Sequence, residues 1–569
     1  MDHMATSPSD IHSNLYQVLK HFGIFFLLER RILALVVSYA LAIGLFSLII
    51  PLTVQELVNT FSFAIQPIMI ATLAIIMVVV LAFVGAFRAL QYYAVEVLQR
   101  RLFVRTAFAM AQRLPQVRLQ GFRPGVSNYF METVFMQRAL SALLVDLIHV
   151  LVGGMIGMTI LVFYHPYFIL FDLMLLFGSA LIFFVLSRGG LRTTIEMSHA
   201  KYDVLHWIQE ISQNVLHMKA TDSHTLLMEK TDQLAKKYME CRRARFAVLL
   251  RQFIASVGGQ ALAHSGALAL AGWLLSTDQL TLGQLVAVEV VVGSLLINFD
   301  SVVKSMGQVY FFFTGLEELN TFFSLPKDQL HLSPTSSVTL PDPKVHGIRV
   351  SCQGLSMVKD GTSLFNNLDL DVAPGGKVGI YTRTTMARMS LAKVLAGLEL
   401  PTSGLVTYND VDLRHLDLRV VNQCRGFMID SQLSLIDGTI ADNIVWRRPY
   451  VSYEDVGWAL GLTQLQDEVR TLPQGINSHI SALGEIPAPT HVLRILLARA
   501  ILGRPQLLVF DGMIHDMEPT LRDGILQRIC SKDESWTVIF VSNDPTLTSY
   551  VDCRIALDDF GRQSPLLPP

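Results

Sequence analysis

Charge is the scarcest property of this chain. Asp, Glu, Lys and Arg together make up 16% of its 569 residues, against 51% hydrophobic residues, where a soluble globular domain carries about a quarter charged residues. That balance excludes an ordinary soluble enzyme and implies a membrane protein. A net charge of −2 leaves no basic excess for a nucleic-acid face, so no nucleic-acid partner is expected. Cysteine is also sparse. Cys241, Cys352, Cys424, Cys530 and Cys553 include no C-x-x-C pair, so neither a metal centre nor a redox motif is expected, and the thiols read as idle in a reducing compartment. The N-terminus lacks a charged, then apolar, then cleavable pattern, so no signal peptide is expected.

Long apolar runs are present in number. After a polar start, Ile11, Leu15, Val18, Leu19 and Phe22 recur at helical spacing and predict a short amphipathic helix on the membrane face. Runs long enough to cross a bilayer, about 20 residues, follow at 32–50, 68–87, 139–164, 167–187, 253–275 and 282–303. The short connections around Gln55, His165 and Asp278 lack Lys and Arg. The long ones contain Arg100, Arg101, Arg105, Arg113, Arg118 and Arg123, then Lys219, Lys236, Lys237, Arg242, Arg243 and Arg245. Positive residues favour the cytoplasmic side, which predicts cytoplasmic termini and long cytoplasmic arms, with tips near 118–125 and 213–222. Within the runs stand Asp146, His149, Asp172, His264, Glu289 and Asp300. Ionisable groups at this depth either pair inside the bundle or mark a functional site; Glu289 is the candidate intramembrane polar site.

A Pro/Ser/Asp-rich stretch without periodicity, 326–346, reads as a linker. Beyond it, β-like runs (348–351, 377–381, 506–510, 537–541) alternate with helical ones, predicting an α/β domain. Four segments carry a resemblance: Pro374-Gly375-Gly376-Lys377-Val378-Gly379-Ile380, Pro401-Thr402-Ser403-Gly404, Asp437-Gly438-Thr439-Ile440-Ala441-Asp442-Asn443-Ile444 and Leu497-Ala498-Arg499-Ala500. Their order and spacing resemble the ATP-binding cassette. The six runs with short outer turns and long arms resemble the ABC exporter membrane domain. Tyr164-His165-Pro166-Tyr167 and Leu280-Thr281-Leu282-Gly283-Gln284-Leu285-Val286-Ala287 are similar to the peptidase-less, hemolysin-exporter-like branch of type I secretion; the N-terminal segment is too short for a peptidase domain. The resemblance implies a dimer, homomeric or with another ABC half, and a membrane fusion (adaptor) protein as partner.

The chemistry-bearing positions depart from the family pattern. A phosphate loop reads G-x-x-x-x-G-K-[S/T], because glycines bring backbone N–H groups onto phosphate, Lys neutralises it and the hydroxyl holds Mg²⁺. In register, those positions are Thr382, Ala387, Arg388 and Met389, with Thr385 inside the loop. Threonine resists positive φ, Arg is no replacement for Lys at a close contact, and Met offers no oxygen to a hard cation. The adenine-stacking position falls near Lys359 and the Q-loop position on Ser431, beside Gln432. The signature becomes Pro487, Ala488, Pro489, Thr490 and His491, whose prolines lack N–H groups. Walker B keeps Asp511 but has Gly512 for the glutamate, and the switch histidine is Asn543. For Asp511, residual Mg²⁺ binding and a purely local role stay open, as do an anion contact and a structural role for Arg388.

The expectation is therefore a membrane α-helical six-span ABC exporter domain fused to a cytosolic α/β ABC-type cassette. Its parts would be an interfacial helix (1–31), the membrane domain (32–325), the linker (326–346) and a degenerate nucleotide-binding-like domain (347–569). The function expected is a pseudo-ABC exporter: a multi-pass protein of a bacterial-type inner membrane, catalytically dead as an ATPase, with no catalytic residues, no cofactor and weak or absent ATP and Mg²⁺ binding. It would serve as a structural or transport subunit of an envelope or secretion complex. The alternatives are an ATP-driven exporter half working with an intact partner, and a membrane sensor or docking subunit.

Overall fold

The computed structural model describes residues 27, 29–63, 67–117, 129–327, 347–359, 361–429, 435–446, 448, 451–480, 489–512, 517–543, 550–557 and 563–565. The expected interfacial helix, the first arm tip, nearly all of the linker, Ser431 and Gln432, and Pro487 and Ala488 lie outside the described residues. The chain divides into two compact units, Met1–Pro326 and Lys327–Pro569.

The first unit has six helices long and apolar enough to cross a membrane: Arg30–Thr60, Pro67–Gln116, Tyr129–Tyr164, Phe168–Gln213, His224–Ser276 and Leu282–Ser324, the first to sixth spans. Several run far beyond the apolar stretches seen in the sequence, because polar residues continue the helical periodicity into the arms; 53 residues in the fifth span reach about 80 Å at 1.5 Å per residue. Small residues set how closely the spans approach, since lipid offers no hydrophobic drive between helices. Ala263, Ala267 and Ala271 form one buried stripe of the fifth span, in a cluster with Val288, Val291, Val292 and Leu295 of the sixth. A Cβ on Gly157 would stand 2.6 Å from the Leu295 side chain, and one on Gly283 would stand 2.4 Å from the Gln55 carbonyl. The third and fourth spans each contain one π-helical turn, Leu143–Leu147 and Leu181–Val185.

Buried charges fasten the ends of this bundle. Glu29, 2% exposed, takes Arg101 at 2.7 Å and Arg105 at 2.8 Å, tying the start of the first span to the second. Glu132, wholly buried, accepts from Lys201 Nζ at 2.6 Å and the Tyr202 hydroxyl at 2.5 Å, joining the third span to the fourth. At the other end, the Tyr164 hydroxyl donates to Gln55 Oε1 (2.7 Å) and the Gly283 N–H to Asn59 Oδ1 (3.2 Å).

The second unit is layered α/β. Its strands are β1 (Val350–Lys359), β2 (Thr362–Val372), β3 (Lys377–Tyr381), β4 (Ser403–Tyr408), β5 (Val411–Asp412), β6 (Arg425–Ile429), β7 (Gly438–Thr439), β8 (His479–Ile480), β9 (Leu507–Asp511), β10 (Thr537–Ser542), β11 (Cys553–Leu557) and β12 (Gln563–Pro565). Its helices are α1 (Thr385–Leu395), α2 (Leu418–Cys424), α3 (Ile440–Val445), α4 (Tyr453–Leu462), α5 (Gln466–Thr471), α6 (Pro489–Ile501) and α7 (Pro519–Ile529). A six-stranded sheet runs β12-β11-β3-β10-β9-β6, parallel except at β12, and a four-stranded sheet runs β2-β1-β4-β5, antiparallel throughout. Every residue of β9 and β10 is buried, as a parallel strand covered on both faces requires. β3 and β9 are both neighbours of β10, so the loops after all three strands open at one edge of the sheet.

Candidate nucleotide site

β3 ends at Tyr381, three residues turn the chain, and α1 begins at Thr385. The turn is held by short polar contacts. The Thr384 hydroxyl caps α1 by accepting from the Ala387 N–H at 3.3 Å, a contact that the sequence reading missed although Thr ahead of a helix is its usual sign. Thr382, 1% exposed, donates its N–H to the Ser542 carbonyl (2.9 Å) and its hydroxyl to Asn543 Oδ1 (3.2 Å). Asn543 Nδ2 donates to Thr385 Oγ1 at 3.4 Å. The phosphate-loop and switch positions are thus brought together by side chains unlike those of the family pattern. No residue from 382 to 389 has positive φ, so the threonines meet none of the backbone strain expected of them.

Arg388 and Asp511 form the buried charged centre of this edge. Arg388 Nε lies 2.9 Å from Asp511 Oδ1, with side chains 9% and 0% exposed. Gly512 follows at φ +72°, and a Cβ there would sit on the Arg388 guanidinium, 2.5 Å from Cζ. Arg388 and Gly512 therefore fit each other: the guanidinium occupies space that any side chain at 512 would need. Of the two readings open for Arg388 and for Asp511, the geometry favours the structural one, each serving as the other's countercharge. Met389 contributes a thioether, and a soft sulfur with an arginine-paired carboxylate does not fit a hard cation such as Mg²⁺. The N-terminus of α1 presents the positive end of its helix dipole, with the Ala387 N–H taken by Thr384.

The signature positions are tied to structure within the same unit. His491 Nε2 lies 2.7 Å from Glu468 on α5. One turn on, Arg494 holds both oxygens of the same carboxylate at 2.7 and 2.6 Å and donates to the Gln464 carbonyl at 3.1 Å. Sequence reasoning missed Arg494, whose charged partner Glu468 lies on another helix. Thr490 offers its carbonyl to Arg494 Nε at 3.4 Å, and Pro489 begins α6. Arg499 donates from Nε to the Asn443 carbonyl at 2.6 Å and lies over Trp446; burial, then the neighbouring Arg448, pulls its pKa down to about 10. Lys359 stands at the end of β1, paired in register with Thr362.

In the membrane unit, Asp146 accepts from the Ser305 hydroxyl at 2.5 Å, His149 Nδ1 lies 3.0 Å from the Val145 carbonyl, and Asp300 takes Lys304 at 2.6 Å. Asp172 is 6% exposed. Glu289 meets His264 of the fifth span, with Nδ1 to Oε1 at 2.8 Å.

Superposed on solved structures, the chain matches a bacterial Atm1-family ABC exporter with ATP bound over 94% of both chains, with a TM-score of 0.82 and 18% identity. The fold is that of an ABC exporter. No family model matches the sequence. Among curated proteins, it is 23% identical over 294 residues to the leukotoxin export ATP-binding protein of Aggregatibacter actinomycetemcomitans, covering 51% of this chain and 40% of that one. It is 25% identical over 200 residues to the alpha-hemolysin translocation ATP-binding protein of Escherichia coli O157:H7, covering 35% and 28%. It is 22% identical over 292 residues to the ATP-dependent lipid A-core flippase of Neisseria meningitidis serogroup B, covering 51% and 46%. The chain thus spans less than half the length of the curated relatives it matches.

Two expectations are corrected by these relatives, which are ATP-binding exporters. On these relatives the chain is not to be read as a non-enzyme with a dead ATPase, nor as a protein without ATP or Mg²⁺ as cofactor, even though its own Met389 and Arg388-paired Asp511 do not make a Mg²⁺ site. The expectation rested on the joint absence of the Lys, the Mg²⁺-binding hydroxyl, the signature, the glutamate and the histidine from their family positions. Replaced positions here still close into a capped strand–turn–helix with a buried cation, and residue identity alone does not decide what such a frame binds.

Proposed function

We propose that the chain is one half of an ATP-driven ABC exporter, working with a second half in a bacterial inner membrane, its termini and cassette on the cytoplasmic side. The observation that carries this reading is the exporter fold over 94% of the chain, six spans and cassette together. The Lys and Arg residues of the long arms support the orientation. ABC cassettes pair head to tail, and an unlike partner would bring a phosphate loop with Lys and a Mg²⁺-binding hydroxyl, the two groups that Arg388 and Met389 replace. That favours a heteromeric pair. An adaptor protein is the further partner suggested by the resemblance to hemolysin exporters. The relatives' names span protein toxins and a lipid, and no one cargo is favoured.

The test is purification in mild detergent followed by reconstitution in lipid nanodiscs. Co-purification of a second cassette protein, with ATP turnover by the complex that exceeds that of the second protein alone, is the expected result. A chain recovered only with unrelated proteins, in assemblies that never hydrolyse ATP, would overturn it.

A further inference from the structure

We propose that the inner ends of the first, second and third spans form a cationic collar that binds the head groups of acidic phospholipids. Glu29 holds the start of the first span against Arg101 and Arg105 of the second at 2.7 and 2.8 Å. Gln99 and Gln137 exchange hydrogen bonds at 2.9 and 2.8 Å between the second and third spans. These contacts bring Arg30, Arg31, Arg100 and Arg138 to one level of the bundle. All four are exposed, and among the described residues only Arg100 of the four has an ion pair, with Glu96 one turn away on its own helix.

That level is the depth of a lipid head group. The first span, Arg30–Thr60, has 31 residues, about 46 Å at 1.5 Å per residue. A bilayer with its head groups included is about 40–45 Å thick, so Arg30 and Arg31 stand at its edge. Leu35 and Leu41, 47% and 45% exposed, continue the same helix outward as a lipid-facing side. On the second span, Tyr92 and Tyr93, 69% and 66% exposed, precede Arg100 by about 11 Å. Exposed tyrosines beside the end of an apolar run mark the boundary between hydrocarbon and head groups. Arg88, also exposed, stands about one turn further in, and its long stem reaches back to that boundary.

Charge decides which lipid fits. Residues 29–48 and 88–105 contain six arginines and two glutamates, Glu29 and Glu96, an excess of four positive charges. Arg138 adds to it, and Glu132, buried against Lys201, does not offset it. A zwitterionic head group has no net charge to answer this excess. A phosphodiester with an uncharged head, as in phosphatidylglycerol, carries one negative charge, and each cation near an acidic membrane surface is worth about fivefold in affinity. The choice of the cytoplasmic leaflet rests on the orientation proposed above. Binding itself needs neither ATP turnover nor a second half, so it fails or holds separately from that reading.

The full chain is reconstituted in vesicles of phosphatidylcholine with a minor share of phosphatidylglycerol and excised with its adhering lipid by a styrene–maleic acid polymer. The lipids of the purified discs are then quantified by mass spectrometry. The expected result is phosphatidylglycerol enriched at least about threefold over its share in the vesicles, and less so in high salt. Arg30→Gln, Arg31→Gln and Arg100→Gln together should bring that ratio to about one, whereas Arg30→Lys, Arg31→Lys and Arg100→Lys should keep it, because charge carries the binding. Lys219→Gln, Lys236→Gln and Lys237→Gln remove as much charge from the arms of the fourth and fifth spans and should leave the ratio unchanged. Arg101 and Arg105 stay in place in every variant, which keeps the Glu29 contacts at the start of the first span. Equal retention of both lipids by the unaltered chain would overturn the proposal. So would enrichment that survives the three arginine-to-glutamine changes in protein that elutes as a folded species, or that the three lysine changes abolish equally.

Discussion

Two pairings of a basic side chain with a carboxylate sit in opposite surroundings in this protein. Arg388 and Asp511 are sealed in the cassette, their side chains 9% and 0% exposed, and the backbone around them has adjusted to that pairing through Gly512. His264 and Glu289 lie in the membrane unit with side chains 44% and 39% exposed. A sealed pair is a structural commitment, because removing either partner strands a charge that cannot reach water. A base paired with a carboxylate is thus closed off in one unit and half-exposed in the other.

Breaking the sealed pair has the largest expected effect. Asp511→Ala leaves Arg388 buried without its countercharge and is expected to destabilise the cassette by about 3–5 kcal/mol, read as a lower unfolding midpoint of the purified chain. The double replacement Arg388→Met with Asp511→Ala should recover much of that loss, since neither charge remains to be buried. Next comes Arg494, 3% exposed and bonded to both Glu468 oxygens; Arg494→Ala should cost about 1.5–3 kcal/mol, the range of hydrogen bonds to charged groups, in the same measurement. His491→Ala removes a half-exposed contact to the same carboxylate and should cost less than about 1 kcal/mol. If the two variants were equally damaging, His491 would be more than a surface contact.

The smallest effect is an acid dependence outside both pairs. The Arg349 guanidinium, bonded to Asp371 at 2.9 and 2.8 Å, holds the Asp371 carboxyl below its ordinary value. A carboxylate with a lowered folded pKa contributes stability above the unfolded value, about 3.9, and loses it as pH falls through the folded value. Arg349→Ala should therefore lower stability slightly at neutral pH and flatten the acid limb of the stability profile below about pH 4.

Much of the fold was legible in the sequence because its signals are local. Apolar runs of bilayer length stand out against 16% charge, and segments such as Pro374–Gly379 or Leu497–Ala500 mark the cassette register without any chemistry. The full length of the spans was less visible, since arm residues such as those after Leu186 alternate polar and apolar once the helix leaves the membrane. The candidate site was legible as a set of positions but not as a set of contacts. That Thr382, Asn543 and Thr385 bond one another, or that Gly512 is where Arg388 needs space, depends on strands far apart in sequence becoming neighbours of β10. The same holds for Glu289: its depth could be read from the apolar run, but its partner lies 25 positions away on another helix. The reading of a dead, cofactor-free cassette rested on the joint loss of the family's residues, and the ATP-binding relatives overturn it.

Whether Arg388 and Gly512 are a matched pair is tested most directly by a double-mutant cycle of Gly512→Glu and Arg388→Lys, with unfolding midpoints of the purified chain as readout. A glutamate side chain at 512 must displace the guanidinium it would otherwise overlap, while a slimmer Lys at 388 leaves it room. The account predicts that Gly512→Glu is strongly destabilising alone and much less so beside Arg388→Lys, with a coupling of at least about 1 kcal/mol, within the range for residues in contact. Additive effects, within about 0.5 kcal/mol, would contradict it.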